Sequence, residues 1–366
     1  MKILFVSHSS VLKYHQQKLE ILAEKFGHDI TLVTPPFWYE GRSKVPLYTG
    51  SRVIKYEIGR TVMFKNRLFH FYMNAGSIFK KINPAIVHIE EDAFAASCWQ
   101  FVRLAKQNNK KSVFFTWENF DRSYNPVYNY FEKYCIQNVD AAIAGNGDAK
   151  RIFSKKMFKG IIEVIPQYGI NLQEFPEKSK NSGKKISELT YIGRLLPEKG
   201  VSTLINAVAS VPDVRLHIAG TGPSQFVSSL KLLAGSLGIS DRIEFIDFMD
   251  REKIPEFLNL MDVLILPSQT TSDWKEQFGR VLIEAFAAGV AVIGSDSGEI
   301  PNVVADAGLV FHEGNARELA SKISFLVNDP DLYASCVKKG FKRVSENYTN
   351  EILAKQIDSL YKRIAG

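Results

Sequence analysis

Two glutamates eight positions apart, Glu276 and Glu284, flank a Phe278-Gly279 step in the segment Glu276-Gln277-Phe278-Gly279-Arg280-Val281-Leu282-Ile283-Glu284. Upstream, Leu266-Pro267-Ser268 closes an apolar run that reads as a buried strand, and Arg280–Ala288 has helical period. The carboxyl end of a parallel strand, just before a helix, is where doubly wound sheets bind ligands. First-turn amides there can hold a diphosphate, and Gly279 lets the backbone approach it closely. A carboxylate on each side of that anion site suits the hydroxyls of a sugar nucleotide, with sugar on one side and ribose on the other. The plain alternative is a solvated Glu284 on a surface helix and a Glu276 favoured by the helix dipole.

Tyr191-Ile192-Gly193-Arg194-Leu195-Leu196-Pro197-Glu198-Lys199-Gly200 places two cations five residues apart beside another helix start. Arg194 can grip phosphate through two N–H groups and Lys199 can add a point charge, or both are ordinary solvated loop charges. Gly220-Thr221-Gly222-Pro223 and Ser295-Asp296-Ser297-Gly298-Glu299-Ile300-Pro301 are further strand-end turns, where small residues such as Gly222 keep a binding wall open or simply serve the turn. In the first half, Glu90-Glu91-Asp92 ends a strand. Asp92 is expected to cap the next helix, and Glu90 either belongs to the same cap or touches an acceptor or sugar. His88 and His217 alternate with apolar neighbours and read as satisfied core histidines. His8, on the first loop, is a candidate to face a ligand.

These residues need a scaffold that brings strand ends together. From Met1 to about Ile165, β-branched runs at Ile3–Val6, Asp29–Val33, Ala85–Ile89, Ser112–Phe115, Ala141–Ala144 and Ile161–Ile165 alternate with helical segments such as Lys13–Phe26 and Asp92–Gln107. The alternation restarts at Leu189–Ile192 and continues through Val214–Ala219, Ile243–Ile246, Val263–Leu266 and Ala291–Gly294. Strands spaced by helices imply parallel βαβ units, so the fold class is α/β. The expected organisation is a first domain over 1–170, a polar linker over 171–187, a second domain over 188–348 and a terminal helix over 349–366. In that last helix, Leu353, Ile357, Leu360, Tyr361 and Ile364 make one apolar stripe that must be covered, and packing back on the first domain is expected.

A length of 366 residues favours two cores over one, and 45% hydrophobic with 23% charged residues excludes a disordered or fibrous chain. No apolar stretch approaches the length that spans a bilayer, and the N-terminus enters a strand pattern with no cleavable apolar region behind it. Cys98, Cys135 and Cys336 show no Cys-x-x-Cys or Cys/His ligand spacing, which fits a reducing cytoplasm without structural zinc. The net charge of +7 is local. Residues 41–81 carry nine Lys and Arg against Glu57 alone, a balance of +8, which leaves −1 for the rest. Leu68, Phe71, Tyr72, Ala75, Ile78, Phe79 and Ile82 form a helical stripe there, with Lys65, Arg67, His70, Lys80 and Lys81 off it. Two readings stand open: a buried helix with a basic solvent face, or a surface that docks on anionic lipid.

Taken in order and spacing, Gly193-Arg194…Glu198-Lys199-Gly200, Gly220-Thr221-Gly222-Pro223, Glu276-x-Phe278-Gly279…Glu284-Ala285, Ala288-Gly289 and Ser297-Gly298-Glu299-Ile300-Pro301 resemble the retaining glycosyltransferases of family 4. The resemblance covers the second domain throughout and the first mainly in layout. It implies the GT-B fold, two Rossmann-like doubly wound domains facing a cleft, with the C-terminal helix crossing back to the first domain. It implies that Arg194 and Lys199 hold a donor diphosphate with the amides of Phe278 and Gly279 and the turn glycines Gly193 and Gly222 beside it, that Glu276 meets the transferred sugar, and that Glu284 meets the ribose. No cofactor is implied beyond the nucleotide-sugar donor, uridine being the family's commonest base, and no metal: the one Asp-x-Asp, Asp329-Pro330-Asp331, reads as a loop and helix cap. The partners so implied are a nucleoside-diphosphate sugar and a glycan or lipid-linked acceptor, with contact to an anionic membrane's inner face through residues 41–81, and no nucleic acid. This sequence departs from the family in the acceptor-side loop Ser7-His8-Ser9-Ser10, where many relatives have Gly-Gly. It also has Trp117-Glu118-Asn119 where many have a His. Glu118 or Asn119 either takes over that residue's contact, or Trp117 packs and Glu118 starts a helix. The departure keeps open a non-catalytic sugar-nucleotide-binding protein or partner subunit on the same fold.

Overall fold

A computed structural model describes the chain except for residues 41–42, 63–68, 123, 157 and 177–184. Arg42, Lys65, Arg67 and Leu68 of the basic stretch therefore lie outside the described residues, as does the middle of the polar segment after residue 171. The chain divides into two units: Met1–Gly169 together with Asn350–Gly366, and Ile170–Thr349.

In the first unit, the strands in chain order are β1 (Lys2–Val6), β2 (Asp29–Thr34), a hairpin of β3 (Phe37–Glu40) and β4 (Ser43–Pro46), then β5 (Lys55–Ile58). A short antiparallel pair follows, β6 (Thr61–Val62) with β7 (Phe71–Tyr72), before β8 (Ile86–Ile89), β9 (Lys111–Thr116), β10 (Ala141–Ala144) and β11 (Ile161–Val164). The main sheet has the order β11-β10-β9-β8-β1-β2-β5, and its strands pair in parallel. Helices cover both faces, which is why β1 and β8 are buried along almost their whole length and read as unbroken apolar runs. One face packs Phe101, Val102, Ile78 and Phe79 against Leu4, Val6 and Val87. The other packs Leu19 and Leu22 of the helix Lys13–Glu24 and the whole stripe of the C-terminal helix Asn350–Ala365 against Ile3, Phe5 and Ile30. The C-terminal helix thus completes the first unit.

The second unit repeats the plan with β12 (Glu188–Ile192), β13 (Arg215–Ala219), β14 (Ile243–Ile246), β15 (Val263–Leu266), β16 (Ala291–Ser295) and β17 (Leu309–Phe311) in the order β14-β13-β12-β15-β16-β17, again parallel. Its core strand β15 is buried at every position. Asp329 caps the helix Pro330–Asn347, accepting from the amides of Asp331 at 3.1 Å and Leu332 at 2.9 Å, which accounts for the lone Asp-x-Asp.

Three local expectations need correction. The helical stripe expected from Leu68 begins only at Ala75 and runs to Ile82, because Phe71 and Tyr72 form β7. The side-chain amide of Gln100 exchanges hydrogen bonds with the backbone of Tyr72 at 2.9 and 2.8 Å, supplying the partners a helix would otherwise provide. The Tyr72 ring meanwhile fills the space that a Cβ on Gly59 would need, 2.1 Å away. Asp92 does not cap the following helix, which starts at Ala96 behind Ala95. Its carboxylate instead accepts from the Thr116 hydroxyl at 2.7 Å and the Trp117 amide at 3.2 Å, tying β8 to β9, and burial raises its pKa to about 6. His217 is not a core histidine. It bridges Glu188 at 2.8 Å and Glu244 at 2.9 Å across three neighbouring strands.

His88 is a core residue, fully buried and held well below the usual imidazole pKa by that burial and by Lys18, so it stays neutral. Its Nδ1 shares a 2.6 Å hydrogen bond with the hydroxyl of Tyr361 on the C-terminal helix. Tyr361→Phe deletes only that hydroxyl and strands a buried ring nitrogen. We expect it to destabilise the first unit by about 1–3 kcal/mol in denaturant unfolding, and an unchanged midpoint would remove the bond from the list of what anchors the helix.

Candidate functional site

In the second sheet the chain builds outward from β12 through β13 to β14 in one direction, then from β15 through β16 to β17 in the other. The loops after β12 and β15 therefore diverge, and the carboxyl ends of these two neighbours lie open at the reversal. Gly193 extends the ladder by donating to Ala219 O at 3.0 Å, and Leu195 donates to Thr221 O at 2.8 Å. The turns after β12 and β13 run so closely that a Cβ on Gly220 would meet Gly193 O at 1.8 Å and one on Gly222 would meet Leu195 O at 1.9 Å. Both glycines are thus demanded by backbone against backbone.

The turn then delivers its two cations differently. Arg194 has an exposed side chain that makes no ion pair among the described residues, while its carbonyl accepts from the buried Tyr191 hydroxyl at 2.7 Å. Lys199 lies in the short turn Pro197–Lys199, and Gly200 after it has φ 69° with Pro267 O where a Cβ would sit, 1.9 Å away. That contact presses the base of Lys199 against the end of β15. Its Nζ reaches Glu276 Oε2 at 2.7 Å, the same oxygen accepts from the Ser268 hydroxyl at 2.8 Å, and the Trp274 ring lies 4.3 Å from the ammonium. The Lys199 and Glu276 side chains are only 12% and 11% exposed, so their attraction is screened little by water.

The third motif holds Glu276 from behind. Ser297 Oγ accepts from its amide at 3.4 Å, Glu299 donates to its carbonyl at 3.1 Å, and Gly298, at φ 57°, leaves room for that carbonyl 2.0 Å from where a Cβ would be. Phe278 points into the core, edge-on to Tyr348 at 5.7 Å, so it offers the site its backbone and not its ring. Gly279, at φ 73°, starts the helix Arg280–Ala287 with no capping side chain. Glu284 is buried, not solvated. Its Oε1 lies 3.2 Å from Arg280 Nε and 3.5 Å from Arg251 Nη2, and burial raises its pKa to about 7 against the pull of Arg251. Four segments therefore converge on one edge of this unit and offer cations, carboxylates and a helix start to an anionic, hydroxyl-rich ligand. Ser268 and Ser297, which sit in the strand-end motifs without an assigned role, and Trp274, which no motif contains, also belong to this cluster.

The first sheet reverses between β1 and β8. His8 lies two residues beyond the end of β1, and its Nδ1 lies 2.6 and 2.8 Å from the two oxygens of Glu91, whose Oε1 also accepts from the His8 amide at 3.1 Å. His70 Nε2 is 3.5 Å from Glu91. Burial alone would raise the Glu91 carboxyl, but the two histidines outweigh it and bring its pKa to about 2. Glu90 is committed internally. It pairs with buried Lys18, accepts from Gln167 Nε2 at 3.3 Å, and lies 3.4 Å from the Ser7 hydroxyl. Trp117 packs, its ring occupying the space beside Gly145 and its Nε1 donating to Gln167 Oε1 at 2.8 Å. Glu118 starts no helix, since the next one begins at Pro126 behind the cap Asn125. Instead it accepts from Tyr124 at 3.0 Å and lies 3.5 Å from Lys156, and burial raises its pKa to about 7. Asn119 beside it is also buried. In the basic stretch, Lys81 pairs with Glu57 at 2.5 Å and Lys55 with Asp29 at 2.7 Å, whereas Arg60 and Lys80 are exposed. No helix among the described residues is long and apolar enough to cross a membrane.

Residues 172–343 match the family profile of glycosyl transferases group 1. The N-acetyl-alpha-D-glucosaminyl L-malate synthase of Bacillus anthracis is 30% identical over 229 residues, 61% of this chain and 54% of that protein. The chain spans about half the length of the curated relatives it matches first. Among solved structures, sucrose-phosphate synthase from Thermosynechococcus elongatus superposes with a TM-score of 0.76 at 21% identity, covering 100% of this chain and 99% of that one. An Anabaena protein solved in complex with UDP also gives 0.76, at 16% identity over 99% and 100% of the two chains. These two structures establish the GT-B fold. The profile match lies wholly inside the second unit, on the segments that build the Lys199–Glu276 cluster, so it is this unit that is similar to the glycosyl transferases group 1.

Proposed function

We propose that the chain is a retaining glycosyltransferase that moves a hexose-type sugar from a nucleoside-diphosphate sugar to a hydroxyl of a glycan or lipid-linked acceptor. The observation that carries this reading is the Lys199–Glu276–Ser268 cluster at the strand reversal of the second sheet, inside the matched segment. In this reading the diphosphate lies along the turn after β12 and the uncapped start of the helix Arg280–Ala287. Arg194 meets it from the exposed side. Lys199, desolvated and fixed by Glu276 and Trp274, faces the charge that grows on the leaving phosphate as the glycosidic bond breaks. Glu276 accepts from hydroxyls of the sugar, and Glu284, anchored by Arg280, does so from the ribose. The acceptor attacks on the face the diphosphate leaves, and that phosphate takes the acceptor's proton. The fixed cations do the neutralising work at the diphosphate, so the transfer step requires no metal there. The structural neighbour bound to UDP favours uridine as the base.

Acceptor recognition falls to the first unit in this proposal, with the basic stretch as its electrostatic attractor at an anionic membrane surface. The position of Trp117-Glu118-Asn119 keeps a non-catalytic binding protein as the competing reading, and turnover assays separate the two.

Removing Arg194 or Lys199 should cost about 2–4 kcal/mol of transition-state stabilisation, a fall in kcat/KM of roughly 30- to 1000-fold. Glu276→Gln should keep the fold and lose most transfer, and thermal melts of each variant separate this from unfolding. Near-native kcat/KM in folded Arg194→Ala and Lys199→Ala sinks the assignment, an inverted anomeric centre in the product NMR sinks retention, and donor binding without turnover for any acceptor leaves the binding protein. Binding to anionic vesicles should exceed binding to neutral ones and fade as salt shortens the Debye length from about 10 Å at 0.1 M to about 3 Å at 1 M. Arg60→Glu with Lys80→Glu should weaken it and leave donor hydrolysis intact, whereas indifference to anionic vesicles at low salt reduces the basic stretch to a solvated face.

A further inference from the structure

We infer that His8, His70 and Glu91 form a binding site for one divalent transition-metal ion, of zinc's preferences, at the carboxyl end of β1 and β8. One ligand atom from each residue lies within 4.8 Å of the others: a ring nitrogen of His8, a ring nitrogen of His70 and a carboxylate oxygen of Glu91. The three residues come from separate segments, the loop after β1, the approach to β7 and the end of β8, so no local turn explains their meeting.

The chemistry of the set selects the ion. Two imidazoles and one carboxylate suit zinc, whose bonds to nitrogen and oxygen are about 2.0–2.2 Å long and tetrahedrally arranged. Bonds of that length put neighbouring ligand atoms about 3.4 Å apart. The His70 to Glu91 separation of 3.5 Å already has this spacing, and the 2.6 Å His8 to Glu91 contact has to lengthen by about 0.8 Å to admit the ion.

The surroundings are those of a prepared site. Glu91 and His70 are 5% and 0% exposed, and the His8 amide donates at 3.1 Å to Glu91 Oε1, the oxygen that both imidazoles approach, which helps to fix the carboxylate in place. Trp38 packs against both imidazoles, with centroids 4.5 Å from His8 and 5.0 Å from His70, and forms an apolar wall. The His8 side chain is 17% exposed and supplies the entry path. Three protein ligands leave the fourth tetrahedral position for water or for an oxygen of a bound molecule. The ion would cross-link three segments at the edge of the first unit. This inference stands on the cluster alone and holds whether or not the proposed transfer reaction is correct.

The test uses the full chain, free of any histidine tag, in buffer without thiols or chelators. Titration with Co2+, followed by its visible d–d bands, and with Zn2+, followed by calorimetry, should each reach one ion per chain, and Zn2+ should raise the melting temperature. His8→Ala, at the one partly exposed ligand, should keep the fold and weaken binding by at least the roughly 10- to 100-fold that loss of an outer-shell partner costs. Glu91→Gln should do the same, and if it fails to fold, His8→Ala decides alone. Binding no stronger in the wild type than in His8→Ala, or no saturable binding of either ion, overturns the site and leaves an imidazole–carboxylate ion pair. UDP binding measured on the same samples should be unchanged by His8→Ala, so failure of the metal site and failure of the donor assignment read out separately.

Discussion

A parallel sheet that grows first in one direction and then in the other has to leave an opening where it turns, because the loops after its two central strands depart to opposite sides. Both units of this chain are built on that constraint. In the second, the opening lies between β12 and β15 and gathers Arg194, Lys199, Ser268 and Glu276. In the first it lies between β1 and β8 and gathers His8, Glu90 and Glu91. Both clusters are positioned by where the central strands stop.

The two openings use charge in opposite ways. The first is largely self-contained: Glu90 is matched by Lys18 and Glu91 by two histidines, and the polar atoms of Gln167 and Ser7 complete the set. Losing one member of such a buried pair leaves the other uncompensated, which costs far more than the pair itself contributes. The second opening is left electropositive. Lys199 is neutralised by Glu276, but the exposed guanidinium of Arg194 is not, and the helix start beside it has no capping side chain. An anion entering there meets the exposed Arg194 and, behind it, Lys199, which has already given up much of its hydration, the condition under which a fixed charge acts strongly.

Backbone contacts hold the second opening rigid. Gly200, Gly220, Gly222 and Gly298 each sit where a carbonyl of another segment occupies the space of a Cβ, so four turns are locked to one another without relying on side chains. Such interlocking explains why the motif glycines fall at turns that carry or support charged residues. Any larger residue there would push a neighbouring carbonyl, and with it Lys199 or Glu276, out of register.

Much of this was legible in the sequence because it depends on local pattern. Apolar runs and helical periods located every strand of both sheets except the edge strands β5 and β17, the stripe of the C-terminal helix announced that it needed a cover, and the spacing of Glu276, Gly279 and Glu284 at a strand end marked the segment that forms the Lys199–Glu276 cluster. What lacks a local signature could only be decided by the tertiary structure. Phe71 and Tyr72 fit a helical stripe as well as a strand, and Gln100 and Gly59, distant in sequence, settled the choice. Glu90 and Glu91 look alike as neighbours on one strand end, yet successive side chains project to opposite sides, and one met Lys18 while the other met His8 and His70. Residues 8, 70 and 91 share no spacing rule; they are neighbours because β1 and β8 are adjacent in the sheet and β7 lies nearby, an adjacency set by the packing of the whole first unit.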